Sequence, residues 1–184
     1  MNGIKNLIKE ENIFGRSDTE KETCSNGINF TDQYRQAVLP VFYYLFSRIQ
    51  NVTDAEDLTS QTFLTAFENI SKLRDPNKFT SWVFTIARNK AFDYFRKSKC
   101  HPTTNYDDEM EQNREKLSEA DRESLLDLEI LISQLSPAEQ EYLRLRIVAE
   151  LPFSEIALIL NEPETRIKKK YYRLLDRLQT RLEE

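Results

Sequence analysis

An all-α chain, arranged as two small helical domains on either side of an acidic, flexible linker, is the architecture this sequence calls for. Only three glycines among 184 residues leave too few turn positions for the hairpins of a sheet protein, so almost no strand is expected. Apolar residues recur at three- and four-residue steps in two separate blocks, the period of helices with one buried face. Between the blocks, Pro102 to Glu129 holds ten acids against three bases, and its first two-thirds have almost no apolar residues, the composition of a solvated tether. The resulting plan is an N-terminal tail over 1–29, a first domain over 30–100, the linker over 101–123 and a second domain over 124–184.

The tail is polar and lacks an apolar period, which predicts a mobile segment. From Thr31 to Gln50 the series Tyr34, Val38, Val41, Phe42, Leu45, Phe46 and Ile49 predicts a helix, bent or broken near Pro40 because proline removes a backbone donor. Thr53-Asp54-Ala55-Glu56 has the form of a capping box, and Leu58, Thr62, Phe63, Ala66, Phe67 and Ile70 then share one face of a second helix. Asp75-Pro76-Asn77 marks a loop, since the residue before proline is pushed out of helical geometry. Trp82, Val83, Ile86, Ala87, Ala91, Tyr94 and Phe95 describe a third long helix that ends near Lys99.

The second domain opens on the stripe Leu125, Leu128, Ile132 and Leu135. Ser136-Pro137-Ala138-Glu139 supplies an N-cap, a proline at the first helical position and a reciprocating acid, so a fresh helix starts there. It runs to Leu151-Pro152. A short helix from Phe153 to Leu160, with Ile156, Ala157 and Leu160 inward, precedes the turn Asn161-Glu162-Pro163. A last long helix buries Ile167, Tyr171, Leu174, Leu178 and Leu182. Short helix, tight turn and basic helix follow the helix-turn-helix order.

Function classes narrow on charge and on what is missing. The net charge of −5 hides two basic stretches. Ile86 to His101 sets five bases against Asp93 alone, and Asn161 to Arg181 sets seven against three acids. No glycine-rich phosphate loop and no plausible catalytic triad are found, so an enzyme is not expected. Cys24 and Cys100 are isolated thiols that offer neither a disulfide framework nor metal-ligand spacing, and His101 beside Cys100 lacks further ligands; no cofactor or metal is expected. The start of the chain has no signal-peptide core, and the longest nearly apolar run, Val38 to Phe46, is far short of the roughly 20 residues that span a bilayer. A cytoplasmic protein that does not itself enter the membrane is expected.

Two constellations carry chemistry. On the last helix Arg166, Lys169, Lys170, Arg173 and Arg177 project opposite the apolar stripe, suited to phosphates and to the acceptor edge of guanine in a major groove. From Thr80 to Lys97 aromatics alternate with bases and an amide, a surface on which unpaired bases can stack while cations follow the backbone. Asn89 is the amide placed to read an extruded base. The plain alternatives are a solvated basic face for the first and an aromatic core with a soluble rim for the second.

Thr53-Asp54-Ala55-Glu56-Asp57-Leu58-Thr59-Ser60-Gln61-Thr62-Phe63, followed by Phe79-Thr80-Ser81-Trp82, Ile86-Ala87-Arg88-Asn89 and Asp93-Tyr94-Phe95-Arg96-Lys97, resembles region 2 of the extracytoplasmic function sigma factors, group 4 of the sigma-70 family. Leu135 to Gln140, Leu143 to Arg146, Glu155-Ile156-Ala157 and Pro163-Glu164 resemble their region 4. The resemblance implies a transcription initiation factor that binds core RNA polymerase, through the clamp coiled coil of the beta-prime subunit and the beta flap, and directs it to promoter DNA. It implies that Asp54, Glu56, Asp57 and Gln61 meet the clamp. It implies that Trp82, Arg88, Asn89, Lys90, Arg96 and Lys97, with the loop over 69–78, meet the unpaired minus-ten element, Asn89 matching the pocket asparagine. It implies that Arg166, Lys168, Lys169, Lys170, Tyr172 and Arg173 meet the minus-thirty-five element, and that an anti-sigma protein is a partner.

The sequence departs from the family at the start of the recognition helix, where Thr165-Arg166 replaces the usual small and hydroxyl residues and Lys168 to Lys170 form a lysine run. Long lysines favour phosphate affinity over bidentate base reading, so the promoter sequence is not implied. Two other readings fit the helices. A stand-alone helix-turn-helix regulator would bind duplex tightly without polymerase, and a protein-binding helical adaptor would show no salt-dependent affinity for DNA.

Overall fold

The computed structural model describes residues 23–24, 28–98 and 134–183. The linker, most of the tail, and Leu125, Leu128 and Ile132 lie outside the described residues. Thr23–Cys24 (β1) and Ile28–Asn29 (β2) pair antiparallel, Thr23 opposite Asn29 and Cys24 opposite Ile28. All other regular structure among the described residues is helical, its longer elements being α1 Phe30–Ile49, α2 Val52–Asn69, α3 Phe79–Ser98, α4 Pro137–Leu143, α5 Phe153–Leu160 and α6 Glu164–Glu183.

Local chemistry sets the boundaries. Asn29 caps α1 by accepting the Asp32 amide, and the helix runs unbroken through Pro40. Expected damage at Pro40 does not end the helix, because Ala37 on one side and Val41, Phe42, Tyr44 and Leu45 on the other are all buried and hold both halves in place. Gln50, with φ 59°, closes α1 in left-handed geometry. The cap of α2 is Asn51, whose Oδ1 accepts the Asp54 amide at 2.8 Å; the expected Thr53 box is therefore corrected by one helical start two residues earlier. Short 3₁₀ turns at Ile70–Lys72 and Pro76–Lys78 shape the loop between α2 and α3.

In the second half the Ser136–Glu139 capping box forms as expected, with both reciprocal bonds present. Beyond Leu143 the helix widens into a π-turn over Arg144–Val148, and Arg146 Nη1 donates to the Leu151 carbonyl across the break. Asn161, with φ 52° and ψ 45°, takes the left-handed position between α5 and α6 that asparagine tolerates. The α5 face differs by one residue from expectation: Ile156 and Ile159 are buried, whereas Ala157 and Leu160 are half-buried.

α1, α2 and α3 pack as a three-helix unit around Val41, Tyr44, Leu45, Phe79, Val83 and Phe84. The second unit, α4 to α6, does not stand apart from it. α5 packs on α3, the π-turn packs on α1, and one continuous core runs from Phe84 and Ala87 into Leu145, Ile156 and Ile167. The sequence suggested two basic helices kept apart by the tether; the apolar faces of the two units instead close on each other.

Candidate nucleic-acid and polymerase interfaces

The start of α2 turns one predicted acid inward and leaves another outward. Tyr94, on α3, donates its hydroxyl to Asp54 Oδ2 at 2.7 Å. Burial, then this bond to a carboxylate, lifts the Tyr94 phenol to about 12. Asp54 thus ties α2 to α3, and Glu56 is half-buried. Asp57 and Gln61, one turn apart, are exposed, and Leu64 and Phe67 continue their side of the helix at 59% and 57% exposure. Neither apolar residue was among the predicted contacts: Leu64 lies outside the apolar stripe of α2, whereas Phe67, expected within that stripe, is instead exposed and meets the edge of Phe30, 5.2 Å between ring centroids.

On α3 the predicted residues divide between two faces. At about 100° per residue, Trp82, Asn89, Lys90, Arg96 and Lys97 fall within one sector of the helix. Asn89, Arg96 and Lys97 are exposed, Trp82 and Lys90 half-buried. Arg96 pairs with Asp93 at 3.0 Å in an open position, where such a pair contributes little and exchanges readily for a phosphate. Trp82 rests edge-on against Phe79 at 6.2 Å, and Phe79 directly follows the loop of residues 69–78. Arg88 lies on a different side. Its guanidinium stacks on Phe92 at 4.9 Å and faces Glu141 of α4.

On α6 the buried side of Ile167, Tyr171 and Leu174 fixes which cations face outward. Those nearest the core are held. Lys170 reaches Glu162 at 2.7 Å and the Tyr142 hydroxyl at 2.8 Å, Arg166 lies 3.5 Å from Glu162, and Arg177 pairs with Glu139 at 2.6 Å. The Lys170 bond pulls the Glu162 carboxyl below the usual range, and the Glu162 bond raises Lys170. Lys168 pairs with Glu164 at 2.7 Å on the opposite flank, its ammonium 5.8 Å from the Phe153 ring. Lys169 and Arg173, one turn apart at the middle of the exposed face, have no acidic partner within 4 Å among the described residues. Tyr172 beside them is 55% exposed.

Sequence reasoning missed the seam between the units. Glu141 is 6% exposed, yet it is a carboxylate. Tyr44 donates to its Oε1 at 2.6 Å, Arg48 Nη1 donates to its Oε2 at 3.0 Å, and Arg88 Nε stands 3.3 Å from Oε1 without the alignment of a hydrogen bond. Arg144 adds a third guanidinium, whose Nε donates to the Ser47 carbonyl at 3.4 Å; burial first, and then the Arg48 charge, lowers its pKa. Burial, reinforced by Glu141, raises the Tyr44 phenol so far that it stays protonated. Partners 93 and 97 residues apart leave no local signal.

Among the described residues no group of three or more His, Cys, Asp or Glu side chains is placed to hold a metal, and no helix is long and apolar enough to cross a membrane. Residues 33–100 match the family model for Sigma-70 region 2, and residues 131–180 match that for Sigma-70, region 4. The chain is similar to the ECF RNA polymerase sigma factor SigM of Bacillus subtilis, 30% identical over 148 residues that cover 79% of this chain and 90% of SigM. It is also similar to BldN of Streptomyces coelicolor, 33% identical over 147 residues covering 77% of this chain, which spans about half (54%) of BldN. Its fold is like that of the sigma factor RpoE, solved in complex with the anti-sigma factor NepR from Bartonella quintana, with a TM-score of 0.60, 20% identity, and coverage of 84% of this chain and 97% of that one. The two paired regions and the likeness to SigM over 79% of the chain place it in the sigma-70 family, as an extracytoplasmic function RNA polymerase sigma factor and not an enzyme.

Proposed function

We propose that the chain divides the work of promoter recognition among three faces. The exposed side of α2, with Asp57 and Gln61 and bordered by Leu64, docks the clamp coiled coil of core polymerase, while α4 to α6 meet the beta flap. The Trp82, Asn89, Lys90, Arg96 and Lys97 sector of α3 receives the unpaired minus-ten strand: the indole supplies a stacking surface, the amide reads a base edge and the cations follow the backbone. Lys169, Tyr172 and Arg173 enter the major groove of the minus-thirty-five element, flanked by Arg166, Lys168 and Lys170 at the phosphates. Residues 30–100 and 124–184 act as the two DNA-gripping domains, with 101–123 as tether and 1–29 as tail, in a cytoplasmic protein.

The observation that carries this reading is the exposed Asn89 on the same side of α3 as Trp82 and Lys97, in a protein of this family. Asn89→Ala is expected to leave closed-complex formation intact and reduce strand opening at least tenfold. Permanganate footprinting of polymerase loaded with the variant measures it, and normal thymine reactivity would refute the assignment. We also infer an anti-sigma partner, supported by the NepR-bound form of the fold relative.

A further inference from the structure

We propose that Arg48 and Arg88 together form a backbone-phosphate site for single-stranded DNA, and that Glu141 from the second domain occupies it in the free chain as an internal substitute for the phosphate. The inference rests on the reading of α3 as the strand-binding helix.

The cluster is unbalanced. Two guanidinium groups, Arg48 and Arg88, reach the single carboxylate of Glu141, and a third, Arg144, which bonds Ser47 and Gln140, lines the same cleft of about 440 Å³ together with Phe92 and Phe95. Arg48 and Arg88 stack on the same Phe92 ring, at 4.8 and 4.9 Å, which fixes two forked donors side by side on the first domain. Paired guanidiniums in fixed geometry suit a phosphate, which offers more acceptor atoms and more charge than a carboxylate.

Glu141 does not satisfy the site. The buried Arg88 Nε finds no hydrogen-bond acceptor among the described residues although Glu141 lies 3.3 Å away. Arg88 sits about 100° around α3 from Asn89, so a strand whose base is read at Asn89 reaches this cleft with its backbone by crossing to the adjoining side of the helix. The occupying acid belongs to α4, on the unit that has to move for DNA to enter. The site is therefore masked while the units are closed and exposed when they part. Arg144 leaves with Glu141, so the first domain keeps the two arginines that share Phe92.

The test uses the full chain and a fluorescein-labelled 20-nucleotide oligothymidine, read by anisotropy. Glu141→Gln keeps an acceptor for Tyr44 but removes the charge. It should tighten binding about tenfold, the gain expected when the open form rises from about a tenth of the population to nearly all of it. The salt slope should steepen by about 0.7, for the one phosphate that the two arginines hold. Adding Arg48→Gln should abolish the gain. Tyr44→Phe weakens the lock without touching a charge and should tighten binding about twofold, which carries the test if Glu141→Gln fails to fold. Unchanged affinity in both single variants, or a gain that survives Arg48→Gln, overturns the proposal. Promoter opening by the wild-type holoenzyme separates the two claims: if opening is normal and Asn89-dependent while Glu141→Gln binds no tighter, only the masking falls. If opening does not depend on Asn89, the strand-binding reading falls and the masking falls with it.

Discussion

Asp54 and Asp57 are three residues apart, both acids in the first turns of α2, and yet they do different work. Asp54 accepts the Tyr94 hydroxyl at 2.7 Å and so belongs to the packing of α2 on α3. Asp57 is exposed and pairs with nothing at that distance on its own unit among the described residues. Asp57→Ala is therefore expected to weaken binding to core polymerase about tenfold, the size of one charge-assisted contact, with melting unchanged. Asp54→Ala is expected to destabilise the first domain by about 1–2 kcal/mol by leaving a phenol without its acceptor. Denaturant melts together with polymerase titrations tell them apart; equal losses of polymerase affinity without any loss of stability would contradict the division. The sequence could list both acids as polymerase contacts but could not separate them, because Tyr94 lies 40 residues away.

At the scale of the helix, the recognition element shows how much of a site is legible from periodicity alone. The stripe Ile167, Tyr171, Leu174 fixes rotation, so the basic face follows from spacing. Which bases are free does not follow, because it depends on Glu162 and Tyr142 folding back on Lys170. Lys169→Ala and Arg173→Ala are each expected to lower affinity for minus-thirty-five duplex and to reduce the salt slope by about 0.9. Lys170→Ala is expected to act first on stability. The same anchor predicts a pH window. Glu162 and Glu139 have lowered pKa values, so their contribution is whole above the ordinary glutamate value of about 4.3 and is lost as pH falls through the lowered values. Lys170 is raised, so its contribution is whole below about 10.4 and is lost as pH climbs through the raised value. The melting temperature of the chain should be flat between about pH 5 and 10 with respect to this anchor. In Lys170→Ala, the alkaline fall attributable to Lys170 should disappear; an unaltered alkaline limb would refute the assignment.

For the whole molecule the decisive feature is that the two units share one core, which composition could not reveal. An acidic tether between two apolar blocks reads as separation, since nothing in either block marks which half-exposed side chains will meet. The seam is built from Ala149 and Leu151, past the π-turn, against Ala37, Pro40 and Phe84 of the first unit, around a gap of about 210 Å³. Ala149 is 5% exposed, and a carboxylate placed there has no cation among the residues that line the gap. An unpaired buried charge costs several kcal/mol, whereas solvation of the parted faces relieves it at once. Ala149→Glu is therefore expected to part the units without unfolding either. In calorimetry the wild-type chain should melt in one transition whose calorimetric and van't Hoff enthalpies agree, because neither unit can lose its packing alone. The variant should show two transitions, with the second unit, which has the smaller independent core, melting first. A single transition in Ala149→Glu, shifted or not, would mean that the units stay coupled without this seam, and that the packing of Ala149 is not what holds the chain closed.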